Sequence, residues 1–169
     1  MASNSDIAAS YRWCQRVCKQ SRSNFFASFR FLAPERRQAM YALYAFSRLS
    51  DDLSDNRGHT ASKEIDSKAR MRLMHWRTPL HEQCSMADAG TKNSARDHLL
   101  GDYAPLWPAL ADAVGRFEIP VQYLDEIVQG VAMDLDELEI LTWDDLRSYC
   151  YQVASAVGLA CLHIWRDSS

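Results

Sequence analysis

The stretch YALYAFSRLSDDLSD, residues 41–55, constrains the fold more than any other part of this sequence. It begins apolar and ends acidic, as expected of a helix that enters a core and then reaches solvent. On such a helix Asp51 and Asp55 are four residues apart, so their carboxylates lie on one side, about one turn apart. The two negative charges repel each other when nothing binds them. The stretch is therefore either a solvated acidic helix end or a site for a cation.

The donor atoms of such a site favour magnesium. Asp51 and Asp55 offer only oxygen, and Mg²⁺ commonly bridges carboxylates to a substrate phosphate. Arg48 lies about one turn before Asp51, where it can steady that carboxylate or contact a phosphate directly. The pattern thus predicts a Mg²⁺ site next to a cationic side chain.

A second segment with phosphate-binding chemistry precedes this helix. Ser21-Arg22-Ser23 places two hydroxyl groups beside a guanidinium, and all three side chains can donate hydrogen bonds to phosphate oxygens. Alone, the tripeptide is better explained as a solvated turn. Next to the acidic helix, it predicts the opposite wall of a Mg²⁺–diphosphate site.

The rest of the sequence predicts a single all-helical domain, because β-branched runs and period-two alternation are scarce. Thr142 and Asp145 form a capping box for the last helix, using Asp in place of the usual Glu or Gln. Gly58 is expected to end the acidic helix, and Pro79 to interrupt a weaker one. The predicted helices cover about 7–20, 35–55, 63–76, 94–100, 105–115, 121–135 and 143–165.

Composition excludes several classes of protein. A net charge of -3 gives no general attraction to nucleic acid, and no apolar run is long enough to span a bilayer. The first residues lack a secretory signal, and five cysteines, an odd number, indicate reduced thiols. We therefore expect a cytoplasmic protein. Cys14 and Cys18 share a helix face, where buried packing is favoured over metal binding.

The last predicted helix carries an apolar pattern. Tyr149, Val153, Val157 and Cys161 recur every four residues, and small side chains between 154 and 160 keep the surface shallow. Small side chains allow close approach either of another helix or of a long apolar ligand. The pattern alone leaves both interpretations open, and the histidines show no ligand spacing.

Two long segments resemble one family, the squalene/phytoene synthases. Residues 21–56, SRSNFFASFRFLAPERRQAMYALYAFSRLSDDLSDN, contain its first aspartate-rich motif. Residues 129–165, QGVAMDLDELEILTWDDLRSYCYQVASAVGLACLHIW, contain its YCYxVAxxVG pattern. The resemblance implies an all-α isoprenoid-synthase-type fold, with helices around a central cavity.

The resemblance also implies an activity, the head-to-head condensation of two molecules of farnesyl or geranylgeranyl diphosphate in terpenoid and carotenoid biosynthesis. Mg²⁺ assists departure of one diphosphate, and capture of the allylic cation gives a cyclopropylcarbinyl diphosphate. Rearrangement then gives phytoene, or a squalene-type product if NADPH supplies a reduction.

The resemblance also implies roles for the residues at positions that match the family motifs. Asp51 and Asp55 would bind Mg²⁺, Arg48 and Tyr149 would act at the diphosphate end of the cavity, and further residues would contact the substrate. The substrate-binding set is Ser21, Ser23 and Arg48 for diphosphate, and Val153, Val157 and Gly158 for the prenyl chain.

The sequence departs from the family in two respects. Family members continue beyond the YCYxVAxxVG helix to a second aspartate-rich motif, NxxRDxxxD, whereas this sequence ends at Ser169, so we expect a fold truncated before that helix. Ser155 stands where the family usually has Gly, which would narrow the pocket.

Three hypotheses follow from these departures: an enzyme completed by a second copy or a partner that supplies the missing helices, an inactive fragment, or a helical binding or assembly protein. An apolar stripe around Val153, Val157, Cys161 and Ile164 is expected to be exposed and to favour self-association or peripheral membrane association.

Overall fold

The computed structural model describes residues 3–54, 63–84, 101–135 and 140–166. Within these ranges all regular elements are helices, which confirms the all-α prediction. The elements in chain order are α1 Asn4–Gln20, α2 Asn24–Phe29, α3 Pro34–Ser54, α4 Lys63–Cys84, a 3₁₀ helix Gly101–Leu106, α5 Trp107–Phe117, α6 Val121–Met133, α7 Trp143–Cys150, a π-helix Tyr151–Ser155 and α8 Ala156–Trp165.

Helix α3 is the central element of the fold. It packs against α1, α2, α4, α5, α6 and α8. Its middle is buried all round, with Ala42, Ala45 and Phe46 fully inaccessible, and a helix buried on every side must be apolar on every side. In its last turn Asp51 is exposed, while Leu53 and Ser54 still face the core. The apolar beginning of residues 41–55 and the acidic residue Asp51 therefore have the predicted placement, and Asp55 lies outside the described residues.

An aromatic cluster joins α3, α4 and α5. Phe46 stacks on Trp76 with ring centroids 6.0 Å apart, and Trp76 lies 4.8 Å from Trp107. The indole Nε1 of Trp76 donates a 3.0 Å hydrogen bond to Oγ of Ser50, which is completely buried. The hydrogen bond satisfies an indole N–H that would be costly to bury unpaired.

Polar side chains clamp α4 to α6. Arg77 forms a two-point ion pair with Asp125, whose other hydrogen bonds come from His81 and Gln129, each at 3.2 Å. Gln152 of the π-helix donates to Gln129 at 3.4 Å. The clamp thus extends from α4 through α6 to the π-helix.

Several predicted helix boundaries need correction. The helix predicted to end near Trp76 continues through Pro79 to Cys84, because burial of Trp76 and Leu80 holds the helix on both sides of the missing N–H. Helix α5 extends to Phe117 rather than ending at Gly115, and α2 and the 3₁₀ helix were not predicted. The predicted helix 94–100 and the stop at Gly58 lie outside the described residues.

The helix predicted over 143–165 begins as expected but is not uniform. The Thr142–Asp145 capping box is present, with both hydrogen bonds formed. The π-helix over Tyr151–Ser155 then divides α7 from α8. Gly130 of α6 lies against this segment, where a Cβ would be 3.0 Å from the carbonyl carbon of Gln152. Close packing of α6 on the π-helix therefore requires glycine at this position.

Cys14 and Cys18 are buried among apolar neighbours, which confirms the packing prediction. The Cys18 thiol lies 3.4 Å from the carbonyl oxygen of Tyr41. Burial raises the pKa of Cys14 to about 12 and also raises the pKa of Cys18. Both side chains therefore stay protonated at neutral pH and act as packing groups.

Candidate functional site

One face of α3 carries the polar side chains of the candidate site. Tyr44, Arg48 and Asp51 follow each other at spacings of four and three residues, which places them in one row along the helix. Tyr44 is partly buried, whereas Arg48 and Asp51 are exposed. The row runs from the core outward and ends at the acidic turn.

The predicted phosphate-binding turn is attached to this row. The Tyr44 hydroxyl donates a 2.9 Å hydrogen bond to Oγ of Ser21, and Ser21 in turn donates to the carbonyl oxygen of Cys18 at 2.7 Å. The sequence pattern predicts a core position for Tyr44 and does not reveal this contact. The four-residue spacing of Tyr44 from Arg48 shows only that both lie on one face of the helix. The structure thus brings Ser21 beside the face that carries Arg48 and Asp51.

The remaining residues of the turn are held by local geometry. Ser23 is the N-cap of α2, and its hydroxyl accepts a hydrogen bond from the backbone N–H of Phe25 at 3.2 Å. As an acceptor there, the hydroxyl retains its own proton for a further acceptor such as a phosphate oxygen. Arg22 has a φ of 53°, a left-handed conformation that is uncommon for a residue with a side chain. The turn is therefore sharp, and its exposed guanidinium extends from it.

Arg48 pairs with a different carboxylate from the one predicted. Its Nη2 lies 2.5 Å from Oδ1 of Asp52, whereas the sequence suggested Asp51 or a phosphate group as its partner. Residues four apart on a helix stack more directly for an ion pair, and Asp52 has that spacing. Both side chains are about two-fifths exposed, at 43% and 39%. Such a pair is only weakly stabilising, so Arg48 can exchange Asp52 for a phosphate group.

The end of α3 fits an oxygen-liganded cation. Asp51 and Asp52 lie in its last turn, which contains no basic residue, at the negative end of the helix dipole. Carboxylates at this end are repelled by the helix dipole and by each other. A bound cation would relieve both repulsions. Asp55, the other predicted ligand, lies outside the described residues. Among the residues described, no three or more His, Cys, Asp or Glu side chains cluster closely enough to hold a metal ion.

Tyr149 contacts the end of α6. Its hydroxyl donates a 2.9 Å hydrogen bond to Oδ1 of Asp134, and the bond to this carboxylate raises the pKa of Tyr149. Tyr149 therefore remains a protonated hydrogen-bond donor at neutral pH. Its hydrogen bond goes to Asp134 rather than to the α3 row.

The three residues expected to contact the prenyl chain differ in accessibility. Val153 is 37% exposed, Val157 is partly buried against the core, and Gly158 is exposed with open space beside it. They lie on the π-helix and the first turn of α8, where small side chains leave a shallow surface.

The predicted exposed stripe is partly wrong. Cys161 and Ile164 are buried, whereas Leu162 and Trp165 of the same helix are 56% and 48% exposed. Helix α8 packs against α6 and α3, and this packing covers Cys161 and Ile164. The exposed apolar surface therefore differs in composition from the one predicted.

Comparison with known protein sequences identifies the family of this chain. The model for the squalene/phytoene synthase family matches residues 18–169, which is most of the chain. The chain is 30% identical over 155 residues to "Phytoene synthase 3, chloroplastic" of Zea mays, covering 90% of this chain and 31% of the maize protein. It is 32% identical over 155 residues to the phytoene synthase of Arthrospira platensis, covering 92% and 44% respectively.

A solved structure shares the fold. The crystal structure of a dehydrosqualene synthase in complex with a ligand superposes with a TM-score of 0.64 at 23% identity, covering 95% of this chain and 48% of that one. The fold is therefore of the all-α isoprenoid-synthase type, as the sequence predicted. The chain spans about a third of the maize phytoene synthase and just under half of the Arthrospira platensis protein. In the described part of the chain, no helix is both long and apolar enough to cross a bilayer.

Proposed function

Because the chain belongs to the squalene/phytoene synthase family, we propose that it acts as a prenyltransferase in the head-to-head joining of two prenyl diphosphates. The observation that carries this proposal is the hydrogen bond from Tyr44 to Ser21. It holds the hydroxyl-rich turn against the helix face that carries Arg48 and Asp51. Cationic and hydroxyl donors then lie next to a carboxylate end, an arrangement that suits a metal-bound diphosphate.

The diphosphate would be held from two sides. Ser21, Ser23 and Arg48 would donate hydrogen bonds to its oxygens, with Arg48 leaving Asp52 to do so. Guanidinium groups bind phosphate oxygens through two parallel N–H donors, which fixes orientation as well as charge. Asp51 and Asp55 would hold Mg²⁺ on the other side. Asp51 is exposed at this end of the helix.

Mg²⁺, when bound, would neutralise charge on the departing diphosphate and so lower the cost of breaking the allylic C–O bond. The chain itself would position the substrate. The Arg48 guanidinium would add positive charge at the leaving oxygens. The protonated hydroxyl of Tyr149 would direct the Asp134 carboxylate at the same end of the cavity.

The prenyl chain would lie over the shallow surface of the π-helix and α8. Val153, Val157 and Gly158 offer apolar contacts and space for a hydrocarbon chain of the farnesyl or geranylgeranyl type. Apolar walls exclude water, which would otherwise capture an allylic cation. Ser155, exposed on the same segment, would place a hydroxyl at the border of this surface.

The relatives' names favour a product formed without reduction. The two relatives described above are phytoene synthases, and the similar solved structure is that of a dehydrosqualene synthase. We therefore propose a phytoene-type hydrocarbon as the product. NADPH would be required only for the squalene alternative. Self-association, binding to a partner and peripheral membrane association stay predictions.

Binding is the sharpest test of this proposal. Ionisation in an apolar cavity requires several groups to neutralise the developing charge, and one carboxylate pair supplies part of them. We therefore expect Mg²⁺-dependent binding of a non-hydrolysable farnesyl diphosphate analogue to be easier to detect than turnover. Calorimetry should show that Arg48→Gln weakens this binding by about tenfold or more, as expected for loss of a charge-assisted contact.

The matched control is Arg147→Gln, which removes an exposed arginine of α7 that pairs with Asp144. Equal binding by the Arg48→Gln and Arg147→Gln variants would contradict the assignment. Product analysis with labelled geranylgeranyl diphosphate, with and without Mg²⁺, then tests the reaction class.

A further inference from the structure

A second polar cleft lies where α1, α2 and the first half of α3 meet. Its volume is about 570 Å³, within the range of sites that hold small organic ligands. Arg12 of α1, Arg30 at the end of α2 and Arg37 of α3 line it, and we call it the arginine cleft. None of these residues belongs to the candidate prenyl diphosphate site.

The arginine cleft has a strong excess of positive charge. Its lining contains three guanidinium groups and no Asp or Glu. In the described part of the chain neither Arg12 nor Arg30 forms a side-chain ion pair. Nη1 of Arg37 donates to the carbonyl oxygen of Arg30 at 3.4 Å, which leaves the charge uncompensated. This concentration of charge occurs although the whole chain carries a net charge of -3.

Two acidic side chains on helices near the arginine cleft form ion pairs with an arginine that does not line it. Glu35 of α3 and Asp112 of α5 both pair with Arg116, at 3.7 and 3.5 Å. Asp112 also accepts a 2.7 Å hydrogen bond from the hydroxyl of Tyr11. These carboxylates are thereby engaged with Arg116 and Tyr11 instead of with the cleft arginines.

Aromatic rings form the inner wall of the arginine cleft. Phe26 and Tyr41 stack with centroids 5.6 Å apart and an interplanar angle of 29°. Tyr41 is buried, and Phe26 is partly exposed toward the cleft that it lines. The cleft therefore combines a cationic rim with a flat apolar wall, which suits an anion that has an organic body.

Helix α2 separates this cleft from the candidate prenyl diphosphate site. Phe29 of α2 contacts both Tyr41 and Tyr44, with centroid distances of 6.0 and 6.3 Å. Arg37 and Arg48 lie roughly 16 Å apart along α3, at about 1.5 Å per residue. Arg48 is not among the residues that line the cleft.

We propose that the arginine cleft binds a multiply charged phosphate-type anion with an apolar or aromatic body, at a site distinct from that of the prenyl diphosphate. Guanidinium groups match phosphate oxygens in charge and in donor geometry. The same chemistry is found in a free phosphorylated metabolite and in a phosphorylated lipid headgroup. The proposal does not depend on the prenyltransferase activity.

The test uses inorganic diphosphate as the probe, in EDTA and without Mg²⁺. Calorimetry on the full chain should show saturable binding that Arg12→Gln and Arg30→Gln each weaken by about tenfold or more. Arg16→Gln is the matched control, because Arg16 is exposed on the same helix as Arg12 but does not line the cleft. Circular dichroism confirms that each variant is folded, and Arg12→Lys should retain part of the affinity.

A parallel arm identifies the source of the anion. Binding to vesicles that contain phosphatidylinositol phosphate, but not to pure phosphatidylcholine vesicles, should show the same dependence on Arg12 and Arg30 if the headgroup is the ligand. If Arg12→Gln and Arg30→Gln weaken the binding of soluble diphosphate but do not change binding to the vesicles, the ligand is a free metabolite.

Three results would overturn the proposal. Absence of saturable binding in both arms is the first. An equal loss of affinity in Arg16→Gln and Arg12→Gln is the second, because it would indicate diffuse surface attraction. Loss of Mg²⁺-free binding in Arg48→Gln, with Arg12→Gln unchanged, is the third and would place the anion in the prenyl diphosphate site. Failure of the prenyl diphosphate assay alone leaves the cleft result intact.

Discussion

The hydroxyl of Tyr44 and Oγ of Ser21 are joined by a 2.9 Å hydrogen bond between residues 23 positions apart in the chain. The bond fixes the turn before α2 to the centre of α3. Because Arg48 lies one turn further along α3, the same bond sets the distance between the turn and the proposed phosphate contact. A polar tether between partly buried side chains thus determines how these two segments are placed relative to each other.

The first prediction concerns this tether. Tyr44→Phe and Ser21→Ala should each weaken Mg²⁺-dependent binding of the farnesyl diphosphate analogue. In a double-mutant cycle on the free energy of unfolding, the two should couple by about 0.5–1.5 kcal/mol, the usual net value of one hydrogen bond. Chemical denaturation of the four proteins measures the coupling. Strict additivity of the two changes would show that the hydrogen bond contributes nothing.

The second prediction concerns the acidic end of α3. Asp51→Asn should leave the free energy of unfolding within about 0.5 kcal/mol, because the side chain is exposed and removal of its charge favours the helix end. Calorimetry should nevertheless show a large loss of Mg²⁺-dependent diphosphate binding, and the double Asp51→Asn/Asp55→Asn variant a larger one. Asp144→Asn, at an exposed site on α7, is the charge-matched control. Undiminished binding in the double variant would exclude these residues as metal ligands.

The third prediction concerns the contact between α6 and the π-helix. Gly130→Ala should destabilise the protein by about 1–3 kcal/mol, because the new Cβ would meet backbone atoms of Gln152 that have little freedom to move. Gly158→Ala is the matched control, since nothing lies near its added methyl group. That change should be neutral or stabilising, by up to about 1 kcal/mol, from the better helix propensity of alanine. Equal thermal stability of the two variants would contradict the close packing.

The fourth prediction concerns pH. Burial acts to raise the pKa of Asp125, but hydrogen bonds and charges from Arg77 and His81 outweigh it and hold that pKa below its ordinary value. The carboxylate thus contributes stability above the ordinary aspartate pKa of about 3.9. That contribution is lost as the pH falls from there through the lower pKa of the folded state. Denaturation between about pH 5 and pH 2 should show a steeper loss of stability in the parent than in Asp125→Asn. Parallel curves would show that the clamp between α4 and α6 is not linked to this titration.

Local sequence patterns were sufficient for much of the helical structure. The Thr142–Asp145 capping box, the burial of Cys14 and the apolar-to-acidic course of α3 depend on spacings within a few residues. Helical periodicity converts such spacings directly into a shared face. The resemblance of two long segments to the squalene/phytoene synthases carried the family and the fold.

Contacts between distant segments depended on the tertiary structure. The partner of Tyr44, the packing of Gly130 on Gln152 and the meeting of Arg12, Arg30 and Arg37 join residues from different helices. The π-helix that divides α7 from α8 leaves no periodic signal, because it changes the period itself. The sequence by itself determined the all-helical class, most of the long helices and the apolar-to-acidic course of α3, since those properties are local. The relative packing of the helices decided which polar groups meet, because the free energy of such contacts exists only when segments far apart in the chain are held together.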